Sequence, residues 1–344
     1  MLARKEAADI VTPFPDPPVP GAVVEVVPGI LWTRFFLPFR LNHVNVYLLR
    51  DTHGWIAIDT GIGLDDSKAA WSALLAGPLR GEKLSGVVVT HFHPDHVGMA
   101  GWLTERFGAP LYMPRTEYLT SLSISHRAFA ANRKFYEKHG LPPDATDRVV
   151  GHGHGYLLLV TGLPTQYLRI ANGDTLTLGG RRFTIITGGG HAPEQAMLYR
   201  ADDNILFSAD QVMMKISPNI SVQAMEPEAD PLCAYRLSLA ALRADLPEDA
   251  LVLPGHHLPF RGLHTRIGEL LHHHDERCAL IAEACRKAPR SATELVPIVF
   301  DRALDAHQMS FAFSEVVAHV NYMRGRGELV QFVDVDGVLR TRVG

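Results

Sequence analysis

Short apolar runs ending at glycine, proline or a carboxylate punctuate the first three quarters of the chain and read as strands. Residues 23–39 hold two such runs around a turn at Pro28-Gly29, and others follow at 44–49, 55–59, 86–89 and 111–114. Residues 167–186 are β-rich through a turn at Gly179-Gly180, 197–200 and 205–207 read as a hairpin, and 250–254 as a last strand. Between them 64–75, 95–107 and 230–246 read as helices. Strands and helices in alternation predict an α/β layered domain. Residues 115–163 interrupt it with a long helical stretch, polar and aromatic, that carries His126, Phe129, Phe135 and Tyr136 and reads as an insert.

Beyond Arg261 the character changes. Residues 265–286 predict a long amphipathic helix, followed by helices at 291–300 and 310–323. The last carries Phe313, Val316, Val317, Val320 and Met323 as one apolar stripe. Two β runs, 329–333 and 338–342, then close a hairpin around Asp336-Gly337. His272-His273-His274 lie in the first of these helices. Consecutive helical residues point in different directions, so the run reads as a helix surface with one packed imidazole.

A length of 344 residues predicts a main domain of more than about 200 residues with a smaller one beside it. The expected division is an extended arm at 1–22, rich in proline from Pro13 to Pro20, a main domain at 23–264 and a C-terminal domain at 265–344. Charged residues make up 20% and hydrophobic ones 47%, and no apolar run approaches the ~18 residues of a membrane span, so a soluble protein is expected. Three scattered cysteines and an N-terminus without a secretory apolar core fit a reducing, cytoplasmic setting. The net charge of −4 offers no global attraction to nucleic acid or anionic lipid. Within 265–344, 10 basic against 11 acidic side chains give −1, which is not the footprint of a phosphate-binding module.

Candidate chemistry concentrates in Val87-Val88-Val89-Thr90-His91-Phe92-His93-Pro94-Asp95-His96. Alternate side chains of an extended segment share a face, so His91 and His93 can converge on one ion as the strand ends. Pro94 suits a first helical position, which leaves Asp95 and His96 on the opening turn beside them. Three imidazoles and a carboxylate suit a borderline metal such as zinc. Gly188-Gly189-Gly190-His191 presents a further ligand after a strand, the small residues letting the backbone crowd close to an ion. Leu253-Pro254-Gly255-His256-His257 repeats strand, glycine and histidine. Asp210 and Asp59 each follow an apolar strand, and Asp59 reads equally as a turn or capping residue. The loop Gly151-His152-Gly153-His154-Gly155 is either an ordinary surface loop or a substrate-facing one, and the 215–229 loop with Asn219 is a second candidate for the pocket wall.

His91, His93, Asp95 and His96 match the His-x-His-x-Asp-His signature, and over about 23–260 the chain resembles the metallo-β-lactamase superfamily, specifically a glyoxalase II-like branch with a winged-helix-like tail. The resemblance implies a four-layer αββα sandwich and two divalent ions, zinc first, with iron or manganese as alternatives. It assigns His91, His93 and His191 to one ion, Asp95, His96 and His256 to the other, and Asp210 between them. Asp59 would brace the histidine loop from beneath, and His257 would face solvent or substrate, as would His152, His154 and Asn219. Ala192-Pro193-Glu194-Gln195 departs from the pattern of many relatives and places a carboxylate near the pocket mouth.

A hydroxide bridging two ions would attack a small ester, thioester or lactone, with Asp95 orienting it and taking its proton. The alternatives are a mononuclear-iron persulfide dioxygenase and a nuclease or nucleic-acid-binding protein acting through the tail. The flavodiiron branch is disfavoured because it carries glutamate where His93 stands. A small-molecule substrate is expected, with no nucleic acid and no membrane as partner. The tail is expected to pack on the main domain or on the second subunit of a homodimer.

Overall fold

The computed structural model describes residues 9–124 and 129–344. A seven-stranded sheet runs in sequence order through β1 (Val24–Val27), β2 (Ile30–Phe36), β3 (His43–Asp51), β4 (Gly54–Ile58), β5 (Leu84–Val88), β6 (Leu111–Pro114) and β7 (Leu168–Ile170). Its first four strands are antiparallel, and β4 to β7 are parallel. A second sheet has the order β12-β11-β10-β9-β8, from β8 (Thr175–Leu178), β9 (Arg181–Gly188), β10 (Gln195–Arg200), β11 (Ile205–Ala209) and β12 (Leu251–Pro254). Only the β11–β12 pair in it is parallel.

Strand β3 shows why the sheets lie between helices. Val44, Val46 and Leu48 pack with Trp71 and Leu74 of α1 (Asp65–Ala76) and Leu103 of α3 (Ala100–Phe107). Tyr47 and Leu49 point the other way, into the layer shared with Phe183, Leu198, Phe207 and Leu253 of the second sheet. On β11, Ile205 and Phe207 face that layer, whereas Leu206 meets Leu239 of α7 (Pro231–Asp245) and Ile267 of α8 (Leu263–Lys287). Strands covered on both faces must be apolar throughout, which is why these runs do not alternate with polar residues. Each large side chain so buried contributes about 1.5–3 kcal/mol. The result is the four-layer αββα sandwich.

Three features add to or depart from the sequence reading. The expected helix over 95–107 is two pieces, α2 (Pro94–Val97) and α3, because the chain turns at Gly98-Met99, where Gly98 O accepts from Thr161 N at 2.7 Å. The insert, α4 (Arg115–Ile124), α5 (Phe129–Lys138) and α6 (Pro143–His152), is more than a cover for the site. Phe135, Leu141 and Val149 pack in one core cluster with Phe313 of α10 (Ala306–Gly325). His126 lies outside the described residues. Finally, the tail shares its core with the main domain. Helices α8, α9 (Ala292–Val299) and α10 share that cluster with α7 and the second sheet, and β13 (Leu329–Val333) with β14 (Leu339–Val343) forms the closing hairpin. The tail therefore packs on the main domain, and the expected boundary at 264/265 falls inside α8.

The arm is tied down at Val11, which exchanges backbone hydrogen bonds with Arg261. Among the described residues no helix is long and apolar enough to cross a membrane.

Candidate metal centre

The carboxyl ends of β4, β5, β9, β11 and β12 open on one edge of the sandwich, and each delivers a candidate side chain there: Asp59, the His91–His96 cluster, His191, Asp210 and His256. His91, His93 and His191 bring ligand atoms within 4.8 Å of one another, as do Asp95, His96 and His256. Asp210 reaches both groups. Its Oδ2 lies 3.3 Å from His191 Nε2 and 3.3 Å from His256 Nε2, and its Oδ1 is 3.5 Å from His96 Nε2. Asp95 Oδ2 is 3.3 Å from His256 Nε2 and 3.6 Å from His96 Nε2.

Hydrogen bonds behind the imidazoles decide which nitrogen each presents. His256 Nδ1 donates to His43 O at 2.7 Å, His191 Nδ1 to Asn219 O at 2.9 Å and His96 Nδ1 to Asp59 Oδ2 at 2.8 Å. Thr90 Oγ1 donates to Asp59 and therefore accepts from His91 Nδ1 at 2.9 Å. All four rings thus turn Nε2 inward, the outer-partner arrangement that orients metal-binding histidines. His93 Nδ1 approaches His191 Nε2 at 2.9 Å. Buried His91 Nε2, His96 Nε2 and Asp210 Oδ1 have no hydrogen-bond partner. Bare donors of these types aimed into one space fit one or two divalent cations. Gly255 keeps that space open, since a Cβ there would collide with Asp210 Oδ1 and lie 2.8 Å from His96 Cε1.

The glycines before His191 do something else than expected. A Cβ on Gly190 would collide with Tyr235 and lie 2.9 Å from Pro231 O, so these residues let the loop close onto α7 instead of crowding an ion. Glu194 is partly buried beside Glu117. Its Oε2 accepts from Thr116 N at 2.9 Å, where the positive end of α4 favours a carboxylate. Asn219 meets His191 through its backbone carbonyl, and its side-chain Nδ2 donates to Ser221 Oγ at 2.5 Å. His257 is partly buried beside His256 with Nε2 unpartnered. The side chains of His152 and His154 lie outside those described.

Three supporting groups escaped the sequence reading. His43 holds His256 through its carbonyl and accepts from His257 N at 2.9 Å through Nε2. Glu117 is buried and joins the two ligand loops, accepting from Phe92 N at 3.0 Å and from Glu194 N at 2.5 Å. Burial pushes its carboxyl up to about 7 despite those donors. Tyr156 donates to Phe92 O at 2.7 Å and so links the insert to the histidine loop. Neither spacing nor composition marks these residues, because their roles arise only when distant loops meet.

A profile described as the metallo-beta-lactamase superfamily matches residues 40–256, a span that includes all the ligand-type side chains above. The chain belongs to the metallo-β-lactamase superfamily. A second profile, described as the metallo-beta-lactamase-like C-terminal domain, matches residues 278–343. A β-lactamase domain protein from Burkholderia ambifaria is 40% identical, with a TM-score of 0.92 over 97% of this chain and 98% of its own. A metallo-β-lactamase family protein from Thermus thermophilus is 27% identical, with a TM-score of 0.80 over 93% of this chain and 100% of its own. The probable metallo-hydrolase YqjP of Bacillus subtilis is 21% identical over 88% of this chain and 94% of its own length.

The charges of this superfamily site divide into two halves. Burial holds His93 down to about 3 and His91 well below the usual imidazole range, so both are neutral lone-pair donors. Burial also opposes charge on His96 and His256, yet the neighbouring carboxylates outweigh it, raising His96 well above its ordinary value and His256 to about 10. In the metal-free protein these imidazoliums neutralise Asp95 and Asp210. A group whose folded pKa is raised gives stability that is complete below its unfolded value, and that stability is lost as pH rises through the folded one. For His256 the window runs from 6.5 to about 10. The denaturation midpoint of chelator-treated protein is therefore expected to fall as pH is raised across that window. Metal-loaded protein should show a flatter profile, because ions replace the protons.

Proposed function

We propose that the chain is a metal-dependent hydrolase that cleaves a small ester, thioester or lactone with two divalent ions at this centre, zinc first. The observation that carries the reading is the position of Asp210, one carboxylate in reach of His191 on one side and of His96 and His256 on the other. His91, His93 and His191 would hold one ion and Asp95, His96 and His256 the other. Bound there, the ions would lower the pKa of a shared water toward neutrality and stabilise the oxyanion that develops on the substrate.

The chain's own groups do the rest. Asp95 is more exposed than Asp210, 19% against 7% at the side chain, and so faces the side from which a water and a substrate arrive. There its carboxylate can orient the water and accept its proton, so that no serine or cysteine nucleophile is needed. Asp59, His43 and the Asn219 carbonyl fix the imidazoles before substrate arrives, which removes reorganisation from the reaction step. The insert and the 215–229 loop would shape the substrate cleft. The near-neutral tail argues for a small molecule over nucleic acid.

A screen of zinc-loaded protein against esters, thioesters, lactones, β-lactams and phosphodiesters tests the reading. Turnover is expected on at least one carbonyl substrate and is expected to disappear on chelation. Cleavage confined to phosphodiesters, or oxygen consumption with a persulfide, would contradict it.

A further inference from the structure

Where α8 packs on α10, a second group of ligand-type side chains is sealed inside the protein. His274 comes from α8, and Glu315 and His319 come from one face of α10 at i and i+4 spacing. The two histidines are 0% exposed and Glu315 6%. Each residue offers a ligand atom, and these atoms lie within 4.8 Å of one another.

The details repeat those of the first centre. His274 Nδ1 and His319 Nε2 approach to 3.1 Å, close to the 2.9 Å between His93 and His191. Two nitrogens bound to one tetrahedral zinc at ~2.0–2.1 Å are about 3.3 Å apart. His319 Nδ1 donates to Glu315 O at 2.7 Å, which fixes the proton there and leaves Nε2 bare. Arg277 pairs with Glu315 Oε1, so the carboxylate is held by an outer partner while its other oxygen is free to ligate. His274 faces His319 through Nδ1, and its Nε2 on the far side of the ring is buried without the outer partner that the first centre's ligands have.

Burial lowers His274 to about 2 and His319 to about 3, with the charges of Arg277 and Arg236 adding to it, which leaves both imidazoles neutral. Burial raises the Glu315 carboxyl to about 7 in spite of Arg277.

We propose that His274, His319 and Glu315 form a further metal site, for a zinc-class divalent ion, that fastens the C-terminal helix α10 to α8. The site stands apart from the ligands of the first centre and does not depend on the hydrolytic reading. An ion here would act as a clip within the tail, holding its last helix to its first.

Two measurements on the full chain test it. Anomalous diffraction at the zinc edge from zinc-loaded crystals should show a peak bounded by His274, His319 and Glu315. Zinc analysis should find one equivalent fewer in Glu315→Gln and His319→Gln than in wild type, with the ions of the first centre retained. Glu315→Gln nearly preserves shape, and the wild-type crystal decides the matter if either variant fails to fold. No peak between the helices, or an unchanged zinc count in a folded variant, would overturn the proposal. The cluster would then be a neutral hydrogen-bonded pair in which His274 Nδ1 donates to His319 Nε2. Loss of the peaks beside Asp210 would instead count against the hydrolase.

Discussion

Replacing Asp95 by Asn is expected to lower kcat by about 10²- to 10⁴-fold, the usual contribution of a positioned proton acceptor, while most of the metal stays bound. The two effects separate because the neighbours are unchanged. His96, His256 and Asp210 all remain around the same ion position, and the amide oxygen of Asn can still ligate. What Asn cannot do is accept a proton. The carboxylate of Asp95 is ionised and so can accept one, since burial would raise its pKa but His96 and His256 overcome it. The measurement is steady-state turnover alongside metal content. Unchanged turnover would sink the assigned role, and parallel loss of metal and activity would make Asp95 a ligand only.

The second large effect is expected at Asp59, which touches no substrate. It accepts from Thr90 N at 2.9 Å, from Thr90 Oγ1 at 2.9 and 3.0 Å and from His96 Nδ1 at 2.8 Å, so one carboxylate holds both the histidine loop and a ligand ring. Its backbone is left-handed, with φ of 60°, a conformation that Asp and Asn tolerate better than Ala. Asp59→Ala should therefore weaken metal binding about 10- to 100-fold, as loss of an outer partner does. It should also destabilise the fold by about 3–5 kcal/mol, because buried donors lose their partner. Asp59→Asn keeps the backbone preference and one acceptor oxygen, so its loss of stability should be clearly smaller. Denaturation midpoints and competitive metal titration read the two effects separately. Equal effects of Asn and Ala would remove the carboxylate from the explanation.

Much of this architecture was legible because burial on two faces writes itself into sequence. The run 205–207 is apolar at every position and 44–49 at every position but Asn45, and the residues that end the strands are the ones carrying chemistry. His91 to His96 declared a metal site by local spacing alone. His191, Asp210 and His256 were assigned to it through resemblance, and the structure brings all three to the same edge. The residues that escaped notice act through backbone or across distance. His43 contributes a carbonyl, Tyr156 reaches the histidine loop from the insert, and Glu117 pairs the distant loops of Phe92 and Glu194.

One expectation failed for a physical reason. The glycines before His191 signalled close packing correctly, but a sequence does not say against what, and the partner is α7. The change of pattern near Arg261 precedes the span matched by the C-terminal domain profile, and the apolar stripe of α10 joins a cluster shared with the second sheet and α7. The histidine run resolved as expected in one respect: His272 is exposed and His274 is fully buried. Its packing against His319 and Glu315 could not be read from helical periodicity.

Under the proposed function one carboxylate, Asp210, stands between two ions. Anomalous diffraction from crystals of the full chain, collected at the edges of zinc, iron and manganese, tests it most directly. The expected result is two peaks flanking Asp210, one against His91, His93 and His191 and the other against Asp95, His96 and His256. A single iron peak beside Asp210, with the remaining histidines free of metal, would contradict it.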